Sequence, residues 1–203
     1  MPTLRTALAV LFTSLFVASF NAQAALVDNG AFTTDTVNQL DWLDLTETAN
    51  ESFDTVAGRI APLGDLFGWS FATQTQVTGL FDSAGGAGSY PQTGSSANAP
   101  ATLLLGLWGT LSNNTEFNTQ QSLFLTEESS GVGLHSLGFI EAFDNAFGPG
   151  GSLDSSVSVA GDFTSQPFIG SALVRPSIVP IPAAVWLFGS ALGLLGWRHR
   201  KAA

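Results

Sequence analysis

The sequence predicts one α+β domain in which two helices come first and antiparallel strands follow. Three observations support this. About 150 residues lie between two apolar chain ends, which is enough for one hydrophobic core. Two segments with helical spacing of apolar residues precede residue 85, and short apolar runs separated by turn residues follow residue 102. Helices followed by strands are typical of α+β proteins, and an all-β sandwich is the alternative.

The first part of the domain predicts a strand and then a short helix. Leu40 and Trp42 alternate with polar neighbours, as in a strand with one buried face. Thr48 and Glu51 have the spacing of a capping box. Apolar residues then recur at three- and four-residue steps, so we expect a helix over about residues 52–60.

A second helix follows a short extended piece at residues 67–72. Thr73 and Gln76 have the spacing of another capping box. One helical face carries four apolar residues: Val77, Leu80, Phe81 and Ala84. Gly85 and Gly86 are expected to end this helix.

The second half of the domain predicts a loop and five strands. Residues 85–100 are rich in Gly, Ser and Ala without periodicity, which indicates an exposed loop. The predicted strands are residues 103–111, 122–126, 137–143, 155–160 and 168–174.

Residues 1–24 have the features of a secretory signal peptide. Arg5 is the only charged side chain among the first 27 residues, and an apolar stretch covers residues 7–20. Ala22 and Ala24 form the small-x-small pattern that signal peptidase reads, so cleavage is expected after Ala24. The chain is therefore predicted to be exported across the inner membrane by the export machinery.

Residues 178–203 form a second signal with three parts. A proline-containing motif comes first: Val179, Pro180, Ile181 and Pro182. An uncharged apolar run then extends to Trp197, and its 17 residues from Ile181 would form a transmembrane helix roughly 26 Å long. A basic stop follows, which stays cytoplasmic under the positive-inside rule: Arg198, His199, Arg200 and Lys201.

This arrangement resembles the PEP-CTERM sorting signal of Gram-negative bacteria, in its VPxP-type variant because Ile181 stands where Glu is usual. The resemblance covers residues 179–201. It implies recognition by an exosortase, which is a membrane-embedded cysteine transpeptidase, in a host that makes exopolysaccharide. It also implies an intermediate anchored in the inner membrane and a final place at the cell surface or in the extracellular matrix.

Residues 25–177 form the acidic extracytoplasmic domain between these signals. The domain holds all 16 acidic residues and only two arginines, Arg59 and Arg175, for a net charge of −14. Such a charge repels nucleic acid and attracts cations. The absence of cysteine excludes a disulfide framework and a thiol nucleophile.

A weaker resemblance links residues 40–175 to bacterial secreted domains with C-type-lectin-like topology. It depends on the order of elements and on the turn from Gly68 to Thr73, which precedes the second helix. Ser70 replaces the arginine of the family's turn, and the calcium-dependent sugar-binding tripeptides are missing. The topology carries over in this resemblance, whereas sugar binding does not.

Catalytic patterns are sparse in the domain. His135 is its only histidine, so a zinc site of several histidines is excluded, and no Gly-x-Ser-x-Gly elbow marks a nucleophile. Three carboxylate pairs could each lie close together: Glu127 with Glu128, Asp41 with Asp44, and Glu141 with Asp144. Calcium ligands could come from the last pair with Asn145, or from Asp154 and Asp162, but EF-hand spacing is absent.

We therefore predict no catalytic residue, no metal site and no cofactor. The expected function is a non-catalytic structural or interaction role at the surface or in the matrix, linked to exopolysaccharide. The alternative is an extracellular protein that binds or acts on glycans. The expected partners are signal peptidase with the export machinery, the exosortase, the membrane through the C-terminal helix, and exopolysaccharide, with no nucleic acid.

Overall fold

A computed structural model describes residues 25–178 of the 203-residue chain, with the backbone alone at residues 128–130. The strands, in chain order, are β1 (Leu26–Asp28), β2 (Phe32–Asp35), β3 (Leu40–Leu43), β4 (Ser70–Phe71), β5 (Gln92–Gly94), β6 (Ser112–Asn114), β7 (Thr119–Gly131), β8 (Leu134–Asn145), β9 (Gly148–Gly161), β10 (Ile169–Ser171) and β11 (Leu173–Pro176). The helices are α1 (Phe53–Ile60), α2 (Gln74–Ser83) and α3 (Ser95–Leu107), with a 3-10 helix at Leu45–Thr48.

The predicted mixture of helices and sheets is confirmed, and the all-β alternative is wrong for these residues. The first sheet has the order β1-β2-β3-β11-β4 and is antiparallel throughout. The second has the order β10-β7-β8-β9-β5, with β6 also paired to β7. Only the β10–β7 pair of this sheet is parallel. The signal peptide and the C-terminal transmembrane helix lie outside the described residues.

Most of the predicted strands lie within longer ones. Residues 122–126, 137–143 and 155–160 belong to β7, β8 and β9, which carry long antiparallel ladders. The predicted strand 168–174 is instead two strands, since β10 joins the second sheet and β11 joins the first. Ala172 lies between them and donates its N–H to Leu125 O, so the chain crosses between the sheets without a loop.

The main core lies where the two sheets, α2 and α3 meet. Trp42 of β3 and Trp108 at the end of α3 pack edge to face, with ring centroids 5.3 Å apart. Phe124 of β7 packs against Trp108 at 5.0 Å. The Trp108 Nε1–H also donates to Leu43 O at 2.8 Å, so this ring ties α3 to the first sheet.

The helix α1 begins at a different cap from the predicted one. The Ser52 side chain accepts the N–H of Thr55, whereas Thr48 lies in the 3-10 helix. The Thr48 hydroxyl instead accepts the N–H of Ser171, so it joins two distant segments. The predicted capping box at Thr48 is therefore wrong, although the helix itself is confirmed. Glu51 forms an ion pair with Arg59 at 2.9 Å.

The helix α2 confirms its prediction in detail. Thr73 and Gln76 form the capping box, each side chain bonding the other residue's backbone N–H. Val77, Leu80 and Phe81 are buried. Gly85 has φ +98°, a conformation that favours glycine, and the N–H of Gly86 returns to Phe81 O at 2.9 Å.

The segment after α2 contradicts its prediction. Residues 85–100 do not form one loop, because β5 and the start of α3 lie within them, and residues 103–107 are helical rather than extended. Pro100 lies inside α3 and interrupts its helical hydrogen bonds. Because proline is disfavoured within a helix, the sequence here did not indicate one. The carbonyl of Ser96, which Pro100 cannot serve, accepts the Gln92 side-chain amide at 3.1 Å instead.

Candidate functional site

An open groove of 560 Å³ lies on the face of the first sheet that is turned away from the main core. Its walls come from the strands β1, β2, β3 and β11, the β1–β2 turn and the residues that follow β11. The lining residues are Val27, Asn29, Phe32, Thr34, Thr36, Asp41, Arg175, Pro176, Ser177 and Ile178.

Strand pairing places the central side chains in one row. Thr34 of β2 lies opposite Asp41 of β3, which in turn lies opposite Arg175 of β11. Directly paired residues point to the same face of a sheet. The Thr34 hydroxyl donates to Asp41 Oδ1 at 2.8 Å, and Arg175 Nε donates to Asp41 Oδ2 at 3.1 Å. Asp41 is thereby satisfied on both oxygens, and its side chain is only 8% exposed.

Two aromatic rings hold the Arg175 guanidinium. Its central carbon lies 4.9 Å from the Phe32 ring centroid and 4.3 Å from that of Trp69. The two rings are themselves 6.4 Å apart in an edge-on arrangement. The Arg175 side chain is nevertheless 37% exposed. Among the described residues, hydrogen bonds engage only its Nε, so both Nη atoms keep their donors for another partner.

The helix α1 covers the neighbouring part of the same sheet face. Leu43 and Leu173 pack there against Val56 of α1 and Phe71 of β4. Because side chains alternate along a strand, Asp41 and Arg175 share this face two residues away from the two leucines. The groove therefore begins where α1 ceases to cover the sheet.

The groups that line the groove can bind a polar ligand. A guanidinium fork, hydroxyl groups and an amide line it, and the carboxylate already accepts two hydrogen bonds. No histidine, and no second carboxylate beside Asp41, is among its lining residues. General acid–base catalysis uses a group that is free to exchange a proton with the substrate, whereas Asp41 is paired with Arg175.

His135 is packed below α1, away from this groove. Its ring stacks on Phe53 with centroids 3.4 Å apart, and Phe53 in turn stacks on Phe71. Its Nε2 lies 3.0 Å from Asp162 Oδ1, an ion-pair distance without hydrogen-bond geometry. Nδ1 is buried without a hydrogen-bond partner among the described residues, so no serine completes a triad there.

The carboxylates that were candidates from sequence spacing lie in different surroundings. Asp41 faces Arg175, whereas Asp44 lies at the start of the 3-10 helix. Burial raises the pKa of Glu141, and Asp154 accepts the N–H of Ser156. Within residues 25–127 and 131–178, no three His, Asp or Glu side chains converge in a way that could hold a metal ion.

Asp44 is the described carboxyl group whose pKa is raised to about 6, from an ordinary value of 3.8. Burial is the main cause, followed by repulsion from Asp28 and then from Glu47. A carboxyl whose pKa is higher in the folded state binds more protons there. Asp44 therefore does not lower the free energy of unfolding below about pH 4. Above that pH it lowers the free energy of unfolding progressively, until the pH reaches the folded pKa of about 6.

We predict that Asp44→Asn raises the free energy of unfolding by about 1 kcal/mol at pH 7.5, after allowance for solvent screening of a partly exposed group. The gain should vanish at pH 4. Urea unfolding at the two pH values measures it. Asp28→Asn, which removes only a contributing charge, should give a smaller gain with the same pH dependence. A gain that is equal at both pH values would contradict the assignment to the Asp44 charge.

The predicted sorting residues lie outside the described residues. These are the signal-cleavage positions Ala22 and Ala24, the motif Val179, Pro180, Ile181 and Pro182, and the basic stop Arg198, His199, Arg200 and Lys201. Within residues 25–178, no helix is both long enough and apolar enough to span a membrane.

The groove residues do not form a sequence motif. Arg175 and Asp41 are 134 positions apart in sequence, so no local motif joins them. One signal was present, however, because Arg175 is one of only two cations among residues 25–177. A second signal was the position of Asp41, which is a charged residue between Leu40 and Trp42 in a predicted strand.

Comparison of the whole chain with known proteins gives no match. Neither protein-family models, nor curated proteins, nor solved structures resemble it significantly.

Proposed function

We propose that this chain is an exported, non-enzymatic protein that is sorted to the cell surface or the extracellular matrix through its C-terminal segment. One observation carries the proposal. The strand β1 begins at Leu26, just after the expected cleavage position, and β11 ends at Pro176, just before Val179. Both terminal signals could therefore be removed without removing any described helix or strand.

Each signal has a stated role in this proposal. Signal peptidase cuts after Ala24 once the chain has entered the export machinery. The apolar run that ends at Trp197 then holds the protein in the inner membrane, with the basic stop in the cytoplasm. An exosortase recognises the motif that begins at Val179 and releases the domain for its final location.

The folded domain would act by surface contact. Its acidic surface disfavours nucleic acid and anionic lipid. A glycan-binding role is the second candidate, and the groove around Arg175 favours it because aromatic rings and polar side chains meet there. Glycan cleavage has less support, since only one carboxylate lines that groove. The C-type-lectin-like topology belongs to this second candidate and stays a prediction.

A pulse–chase experiment tests the sorting proposal. An epitope inserted at the β8–β9 turn, beside the 99% exposed Phe147, should leave the fold intact. In cells with an active exosortase, the pulse-labelled membrane form should convert into a shorter form at the surface or in the medium. In matched cells without the exosortase, it should stay at full length in the inner membrane.

Intact mass separates sorting from a plain single-pass membrane protein. The processed form should lack residues C-terminal to the motif and should begin at Ala25. A surface form that begins at Ala25 and still carries Lys201 would show that the tail is an uncut anchor. A form that retains Met1 in the cytosol would refute export itself.

A further inference from the structure

We propose that the groove around Arg175 binds the carboxylate of a sugar acid, such as a uronic acid unit within a polysaccharide. This inference deepens the proposed function and rests on it only for the place where such a glycan would be met. The site and its ligand class follow from the groove itself.

The Arg175 guanidinium is preorganised to bind one planar anion. Its Nε is engaged with Asp41, and its central carbon lies over the Phe32 and Trp69 rings. The two Nη atoms have no partner among the described residues and belong to a side chain that lines the groove. A carboxylate can accept two parallel N–H bonds from such a fork. Because the arginine is already ordered, little side-chain entropy remains to be lost on binding.

The charge around the fork limits the ligand to a single negative charge. Asp41 lies 3.1 Å from Arg175 and already offsets much of its charge. The surrounding domain is strongly acidic. A ligand with several phosphate or sulfate groups would therefore be repelled by the acidic domain and attracted only by Arg175, whose charge Asp41 already offsets. One carboxylate on a neutral ring meets little repulsion.

The remaining lining suits the hydroxyl groups of a sugar ring. Asn29 Nδ2 donates to Val27 O and to the Thr34 hydroxyl, and the Thr34 and Thr36 hydroxyls donate to Asp41 Oδ1 and Ala25 O. These donors are engaged within the protein, so the side-chain oxygens along the β1–β2 side are the atoms to which sugar hydroxyl groups could donate. Val27 and Ile178 add apolar surface at the same groove. The volume of 560 Å³ falls in the range of ligand-binding clefts and exceeds what one carboxylate needs. A peptide C-terminus has the same carboxylate but no hydroxylated ring, so it serves as the competing outcome.

Calorimetric titration of the full-length chain in detergent tests the proposal. The probes are methyl α-galacturonoside, which carries one carboxylate, its neutral methyl ester and N-acetyl-trialanine, each at low ionic strength. We expect saturable binding of methyl α-galacturonoside, and binding weaker by roughly tenfold or more for its methyl ester, which lacks the negative charge. Tighter binding of the peptide than of the sugar acid would overturn the sugar assignment.

Arginine variants locate the site. Arg175→Gln should reduce the affinity for methyl α-galacturonoside by roughly tenfold or more, and Arg175→Lys should not restore it fully because lysine lacks the fork. Arg59→Gln is the matched control, since it removes the same charge from a residue outside the groove lining. Equal losses in the Arg59 and Arg175 variants would overturn the site.

A second variant guards against misfolding. Arg175→Gln leaves Asp41 buried without its ion pair, which could destabilise the protein. The double variant Asp41→Asn, Arg175→Gln removes both charges and should keep the melting temperature while still losing sugar-acid binding. Retained binding in the double variant would overturn the proposal. Failure of export in the pulse–chase leaves these titrations unchanged, so the two failures are distinguishable.

Discussion

Replacing Trp108 by alanine is expected to lower the free energy of unfolding by about 4 kcal/mol. Its ring is 1% exposed and lies at the meeting point of both sheets and α3. It packs edge to face on Trp42 and at a tilt on Phe124. The substitution would remove these contacts and leave a cavity. It would also leave the Leu43 carbonyl, which now accepts the indole N–H, without that hydrogen bond.

Two control variants separate these contributions. Trp108→Phe keeps an aromatic ring but loses the donor, so it should cost roughly 1–3 kcal/mol. Phe147→Ala removes a ring that is almost fully exposed and should change stability by less than about 0.5 kcal/mol. Chemical unfolding followed by tryptophan fluorescence and circular dichroism measures all three variants. If Trp108→Ala cost no more than Phe147→Ala, the described core would be wrong.

The sequence predicted an element correctly where the residues that determine it all lie within one short segment. The helix α2 has its cap at Thr73, its apolar stripe and its terminal glycine within a dozen positions, and each does what the sequence predicts. Parts of β7, β8 and β9 were likewise visible as short apolar runs bounded by turn residues, although Val157 and Val159 of β9 are exposed.

Local rules failed where distant partners decide the structure. The start of α3 lacks a side-chain cap and contains Pro100, so its local sequence resembles a loop. Asn98 binds the carbonyls of Phe143 and Gly150, and Gln92 accommodates the proline by bonding Ser96. These tertiary hydrogen bonds hold the helix where propensity alone does not.

The groove shows the same limit for function. Its Asp41–Arg175 pair exists because β11, late in the chain, lies beside the early strand β3. Sequence alternation could place Asp41 on the face opposite Trp42, but it could not say which residue would lie opposite Asp41. The terminal signals differ from the groove, because each is predicted from one short contiguous segment and needs no tertiary contact to be recognised.

Ending the chain after Ile178 is expected to abolish membrane retention while leaving the folded domain intact. The deletion removes the predicted transmembrane run, and without it no described helix could replace the anchor. Every described strand remains, since β11 ends at Pro176. Nearly all of the protein should therefore move from the membrane fraction to the soluble exported fraction, with a melting temperature close to that of the processed full-length form.

A second truncation, after Ala172, is the matched control for the truncation after Ile178. It removes β11, which lies between β3 and β4 and supplies Leu173 and Val174 to the buried clusters. Losing a strand from within a sheet leaves unpaired backbone groups on both neighbours, so this variant should be degraded. Fractionation with immunoblotting measures both truncations. If the chain ending at Ile178 stayed in the membrane, the C-terminal segment would not be its anchor. If it were degraded like the shorter one, the domain would need residues beyond Ile178 to fold.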